Sequence, residues 1–203
     1  MLMAALGTAC AAFAADARQG FPPDSQTLTV LVYDYAGVSE SSLDDMETLS
    51  AELLSRAGIR THWVHCLGHQ EGSRPPLCDA NLDAGLKLLR ILATYPGDPS
   101  KLGGDPLGMA VVENRYASVY ASDIHKYADH HGLPAGTLLA YAVTHEIGHL
   151  LLGRSHSPTG IMRGAWGKAD YRDMAQRWLG FGAAELQALR LAVPAEQRLA
   201  RLK

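Results

Sequence analysis

The sequence lacks a basic excess: 18 Lys and Arg stand against 21 Asp and Glu, for a net charge of −3. Nothing there neutralises a phosphate backbone, so nucleic acid is not an expected partner. It also lacks any run near the roughly 20 consecutive apolar residues of a membrane-spanning helix, and no span is expected. Internal repeats are absent, and so is low complexity beyond the first residues. Aromatics are sparse, at 7%, and charged residues make up only 19%. What is plentiful is apolar material, 47% of the chain, enough for a real core and too much for a disordered or collagen-like chain. The 203 residues give room for one ordinary domain and not comfortably for two.

The first fifteen residues, MLMAALGTACAAFAA, carry no charge until Asp16. An apolar run ending in small residues, with Ala12-Phe13-Ala14 as a small-x-small cleavage pattern, reads as a secretory signal. No Lys or Arg precedes it. A lipid anchor at Cys10 is disfavoured, because Gly7 stands where such signals carry Leu. The rival reading is a buried N-terminal helix. Export would make the location secreted or periplasmic, and would leave Cys66 and Cys78 as an even pair in an oxidising compartment. A disulfide between them is expected, with two unpaired thiols as the alternative.

Residues 16–26, with Pro22-Pro23, read as a linker, and 27–203 as a single domain. Thr27 to Tyr35 is β-branched and aromatic, a strand. Ser41 to Ala57 places Leu43, Met46, Leu49, Leu53 and Leu54 on one helical face, with Ser41 or Ser42 as cap and Gly58 as stop. Ile59 to Cys66 reads as a second strand, completing a βαβ unit. Leu86 to Ala93, Gly108 to Glu113 and Ala117 to Ser122 are further strand candidates. Pro96 to Gly104 is turn material, and Ser122 to His131 suggests a helical turn. Pro134 suits the first position of a helix running to Leu152, with Gly153 ending it in a left-handed cap. Ala169 to Trp178 and Ala183 to Ala192 read as closing helices. The pattern is α/β first and helical afterwards.

The sharpest signal is His145-Glu146-Ile147-Gly148-His149. Residues four apart share a helical face, about 6 Å along the axis, so both imidazoles can reach one tetrahedral zinc ion. Glu146, one position on, lies beside that face. From there it can take a proton from a metal-activated water without being a ligand. Leu138, Leu139, Ala142, Val143, Ile147, Leu150 and Leu151 make this a buried helix, where two histidines and a glutamate are costly without a partner.

The continuation, Gly153-Arg-Ser-His156 and then Gly160-Ile161-Met162, resembles the metzincin metallopeptidases, whose long signature is H-E-x-x-H-x-x-G-x-x-H followed by a methionine-containing turn. The resemblance implies His145, His149 and His156 as ligands of Zn2+, Glu146 as general base, and Met162 in the turn below the metal. It implies an α/β (α+β) zincin domain: a twisted mixed sheet with a backing helix, an active-site helix and C-terminal helices. Its activity would be peptide hydrolysis, with a polypeptide as substrate and the chain a monomer. One departure stands out. Three residues, Leu150 to Leu152, separate His149 from Gly153, where the signature has two. The chain is also similar to a group of short exported bacterial proteins that carry HEIGHLLLG and SHSPTGIM and are taken for peptidases. An alternative keeps the helix but draws the third ligand from a downstream carboxylate, Asp170 or Glu185. Another is an exported zinc-binding module without proteolysis.

Other clusters carry less. His62 and His65 point to opposite strand faces, which argues against their sharing a metal with Cys66 and His69. His130 and His131 suit a helix C-terminus. Arg74 to Asp79 faintly resembles the inhibitory cysteine segment of matrix metalloproteinases, but sits after two core elements. Trp166 and Trp178 read as core or wall residues, and Tyr171 as packing rather than as an aid to the reaction. Metzincins hold peptides along an edge strand, and Ala117 to Ser122 is preferred over Gly108 to Glu113 for that edge.

Overall fold

The computed structural model describes residues 26–68, 73–82, 86–98, 100 and 106–201, with side chains from Thr27 to Ala192. The signal and nearly all of the linker, His69, and much of the turn before Gly104 lie outside the described residues.

Five strands form one mixed sheet: β1 (Gln26–Asp34), β2 (Ile59–His65), β3 (Lys87–Leu92), β4 (Gly108–Val111) and β5 (Tyr116–Tyr120), in the order β2-β1-β3-β5-β4. The first four neighbours in that order run parallel, and β4 returns antiparallel to β5. Strand β1 is buried on both faces, which is why its sequence is nearly continuous apolar rather than alternating. Leu28, Val30 and Val32 face the main core, while Leu31 joins Val64 and Leu86 on the other side.

Helices α1 (Glu40–Ser55) and α3 (Ala135–Leu152) supply the core's other half, with Met46, Leu49, Leu53, Leu138, Leu139 and Val143 buried in it. They approach closely at Gly136, where an added Cβ would lie 2.7 Å from Asp45 Cβ. The buried Ser50 hydroxyl donates to the Ala140 carbonyl at 3.2 Å, tying the helices together. Helix α1 begins earlier than the sequence suggests: Ser39, not Ser41 or Ser42, is the cap, accepting from the Ser42 N–H. Pro134 likewise caps α3 rather than opening it. Gly153 ends α3 at φ 93° and ψ −170°, a positive-φ region that suits glycine but not the left-handed helical cap the sequence suggests.

Helix α2 (Ala121–His131) is longer than a turn; α4 (Lys168–Ala175) and α5 (Ala183–Arg201) close the chain. Trp178 is a correction: it is 74% exposed and neither core nor cleft wall. The preferred edge strand is a second correction. Strand β5 is paired on both sides, by β3 and β4, and β4 is the edge. A four-residue strand reads weakly in sequence, so the better strand pattern pointed to the interior.

Cys66 and Cys78 form a disulfide, closing a loop of 12 residues' separation over the minor face of the sheet. A loop of this length contributes roughly 2–3 kcal/mol, largely through the unfolded chain. The Cys66→Ser, Cys78→Ser double variant should therefore melt roughly 5–10 °C lower by calorimetry. An unchanged melting temperature under non-reducing conditions would show that the bond does not form. Among the described residues, no helix is long and apolar enough to cross a membrane.

Candidate metal centre

Helix α3 carries His145 and His149 one turn apart, and their Nε2 atoms stand 3.0 Å apart. His156 comes from the loop after Gly153 and brings its Nε2 to 3.2 Å from that of His149. The ligand-capable atoms of all three lie within 4.8 Å of one another, and no other such group occurs among the described residues. The structure thus brings together all three histidines singled out in the sequence.

Second bonds fix the ring orientations. His145 Nδ1–H donates to the Ile161 carbonyl at 2.7 Å, and His149 Nδ1–H to the Gly153 carbonyl at 2.8 Å. A ring that donates from Nδ1 presents a lone pair at Nε2 while neutral. Burial keeps both rings neutral, pushing His145 down to about 4 and lowering His149. Lone pairs this close repel unless a cation lies between them. A tetrahedral ion with bonds of about 2.0–2.1 Å sets its ligand atoms about 3.3 Å apart, close to the spacing here. The donor set therefore fits a zinc ion, and also other divalent cations that accept imidazole.

Glu146 is buried beside the trio, and burial pushes its carboxyl up to about 8. It faces a cleft of about 510 Å³ lined by β4, by the three histidines and by the 163–166 segment. Three glycines that the sequence alone does not tie to the site make room. A Cβ on Gly108 would meet Glu146 Oε1 at 2.6 Å, one on Gly148 the Met162 sulfur at 2.4 Å, and one on Gly164 the His156 ring at 3.0 Å. Only Gly148 leaves a local trace: a glycine mid-helix costs about 1 kcal/mol against alanine and so calls for a packing reason. Met162 is 1% exposed beneath that point. Its turn is anchored by Ser157 N–H to Met162 O at 2.8 Å and Ile161 N–H to Gly180 O at 3.0 Å. Trp166 stands edge-on to His145, 5.5 Å between centroids, and donates to the Ile161 carbonyl.

The rival carboxylates are engaged elsewhere. Asp170 Oδ2 accepts from Arg163 at 2.9 Å and from Gly167 N–H at 2.8 Å. Glu185 accepts from the Ser157 hydroxyl and from Gly182 N–H at the start of α5. Tyr171 is buried and stacks on His131 at 3.6 Å between centroids, as packing requires, while also bordering the cleft. His65 bonds Glu47, and Cys78 is held in the disulfide, so neither joins the trio.

No protein-family model and no curated protein matches the chain. Among solved structures, the chain is similar to the zinc-dependent peptidase from Methanocorpusculum labreanum (strain Z). The TM-score is 0.53 at 14% identity, over 79% of this chain and 99% of that one. The likeness is one of fold: a five-stranded mixed sheet packed with helices.

Proposed function

We propose that the protein is an exported zinc-dependent endopeptidase of metzincin-like type. The observation that carries this reading is the convergence of three imidazoles with a buried glutamate beside them, inside a cleft bordered by a sheet edge. His145, His149 and His156 would hold the ion through Nε2, with Met162 packed beneath. Zinc bound there supplies Lewis acidity for the scissile carbonyl and lowers the pKa of water at an open position.

The remaining work falls to the chain. Glu146 accepts a proton from the attacking water at a carboxylate oxygen and passes it to the leaving amine. The carbonyls of Ile161 and Gly153 hold the imidazole rings in the orientation the ion needs. Strand β4 pairs on one side only among the described residues, so its other side can take an extended peptide. The similarity to a zinc-dependent peptidase supports the same class of reaction.

The test is a mixed peptide library assayed with zinc-loaded protein, after chelation, and after zinc is restored. Cleavage should vanish with chelator and return with zinc. The His156→Ala variant should lose most of its zinc by elemental analysis. Full zinc occupancy in that variant would move the third ligand elsewhere. Zinc binding with no cleavage of any peptide would leave a metal-binding module in place of a peptidase.

A further inference from the structure

We infer that Arg163 selects substrates that place a carboxylate beside the scissile bond. The inference rests on the peptidase reading above and adds a specificity to it.

Arg163 follows Met162 directly, in a segment that wraps the three histidines. Two residues before it, the Ile161 carbonyl accepts from His145; the next residue, Gly164, lies against His156. The Arg163 backbone is fixed by an N–H bond to Gly160 O at 3.2 Å and by a bridge to Ser157. Arg163 is the only charged residue from 161 to 166. It borders the cleft, and its side chain is 42% exposed.

One guanidinium nitrogen, Nη1, is held at 2.9 Å by Asp170, whose side chain is only 10% exposed. The same Asp170 oxygen accepts from Gly167 N–H at 2.8 Å, so the anchor is built into the start of α4. A guanidinium carries five N–H donors in a rigid fork that matches a carboxylate, and it stays charged at any working pH. A fork held at one corner, with much of the side chain exposed at the border of the cleft, is preorganised for an anion. The other arginine on the cleft, Arg154, pairs with Glu113 through side chains 71% and 63% exposed. Exposed pairs of that kind are weakly fixed and screened by salt. Among the described residues, the lining holds no acid apart from Glu146.

The carboxylate can belong to an internal Asp or Glu, or to a free C-terminus. Two matched peptide sets separate these: Glu against Gln at each position flanking the cleaved bond, and free against amidated C-termini. The readout is the ratio of kcat/KM for the charged over the neutral member. For the wild-type chain we expect at least tenfold in one set. Arg163→Gln should bring the ratio to near one, and Arg163→Glu should invert it in favour of the neutral member. Arg163→Lys, which keeps a cation for Asp170, should retain only part of the ratio, and Arg154→Gln should move it much less. Because each ratio is taken within one variant, a general loss of activity cancels. Anisotropy with the same peptides on the zinc-loaded Glu146→Gln protein gives the preference without turnover. Cleavage with equal rates and equal binding for charged and neutral members would overturn the inference and leave the peptidase reading standing. Absence of cleavage with preserved charge-selective binding would do the reverse.

Discussion

Glu146→Gln should bind zinc at close to one ion per chain and hydrolyse peptides about 10²–10⁴-fold more slowly, the range a positioned general base contributes. The amide fills the space of the carboxylate and cannot accept a proton. Its neutrality suits the location: Glu146 is 6% exposed, and burial already disfavours its charge. Folding is therefore not the confounder, and the melting temperature should stay within a few degrees. The two proposed ligands on α3, His145 and His149, lie on the adjacent face, and their bonds to Ile161 and Gly153 do not involve Glu146. Turnover within about tenfold of wild type would remove Glu146 from the mechanism.

Gly108→Ala is expected to be nearly as damaging, although it adds one methyl group on a different strand. That methyl would stand 2.6 Å from Glu146 Oε1, 2.7 Å from Cγ and 2.9 Å from Cδ. All three are closer than carbon contacts allow, so the carboxylate must swing away from its position over the cleft. The backbone of β4 accepts alanine without strain, so sheet and metal content should be unchanged. A displacement near 1 Å at the reacting groups can cost about 10²-fold, and peptide hydrolysis at saturating substrate should slow by roughly one to two orders of magnitude. The double variant with Glu146→Gln should be little worse than Glu146→Gln alone, since both remove the same proton acceptor. Additive losses would show that Gly108 acts through something other than Glu146.

Much of the centre was legible because its signal is local. Two histidines four apart in an apolar stretch define a shared face whatever the rest of the chain does, and a glycine followed by a third histidine sits close behind. The strands of the βαβ unit were legible for the same reason: apolar runs bounded by turn residues. What was not legible depends on partners distant in sequence. Nothing near Gly108 points to Glu146, 38 positions on, as the reason it must lack a side chain. Nothing in Ala117 to Ser122 shows that two strands flank it; pairing order is decided by the assembled sheet, and the buried pattern of β5 is its consequence. Trp178 misled because large aromatic rings are usually at least partly covered, and here the ring lies outside after α4 ends.

The brevity of β4 bears on self-association as well as on substrate. A free strand edge invites any extended chain, including a second copy of the protein, and long flat edges are where sheets aggregate. Here the edge is four residues, about 13 Å of backbone, and it stops at Val111; a turn over Val112–Asn114 and Arg115, with a φ of 58°, then reverse the chain. Only a few inter-chain hydrogen bonds fit along that length, too few to hold two folded molecules together by themselves. Under the proposed function, a peptide docked there would gain its remaining hold from a metal held by the three histidines, so the edge would serve substrate while offering little to a second copy.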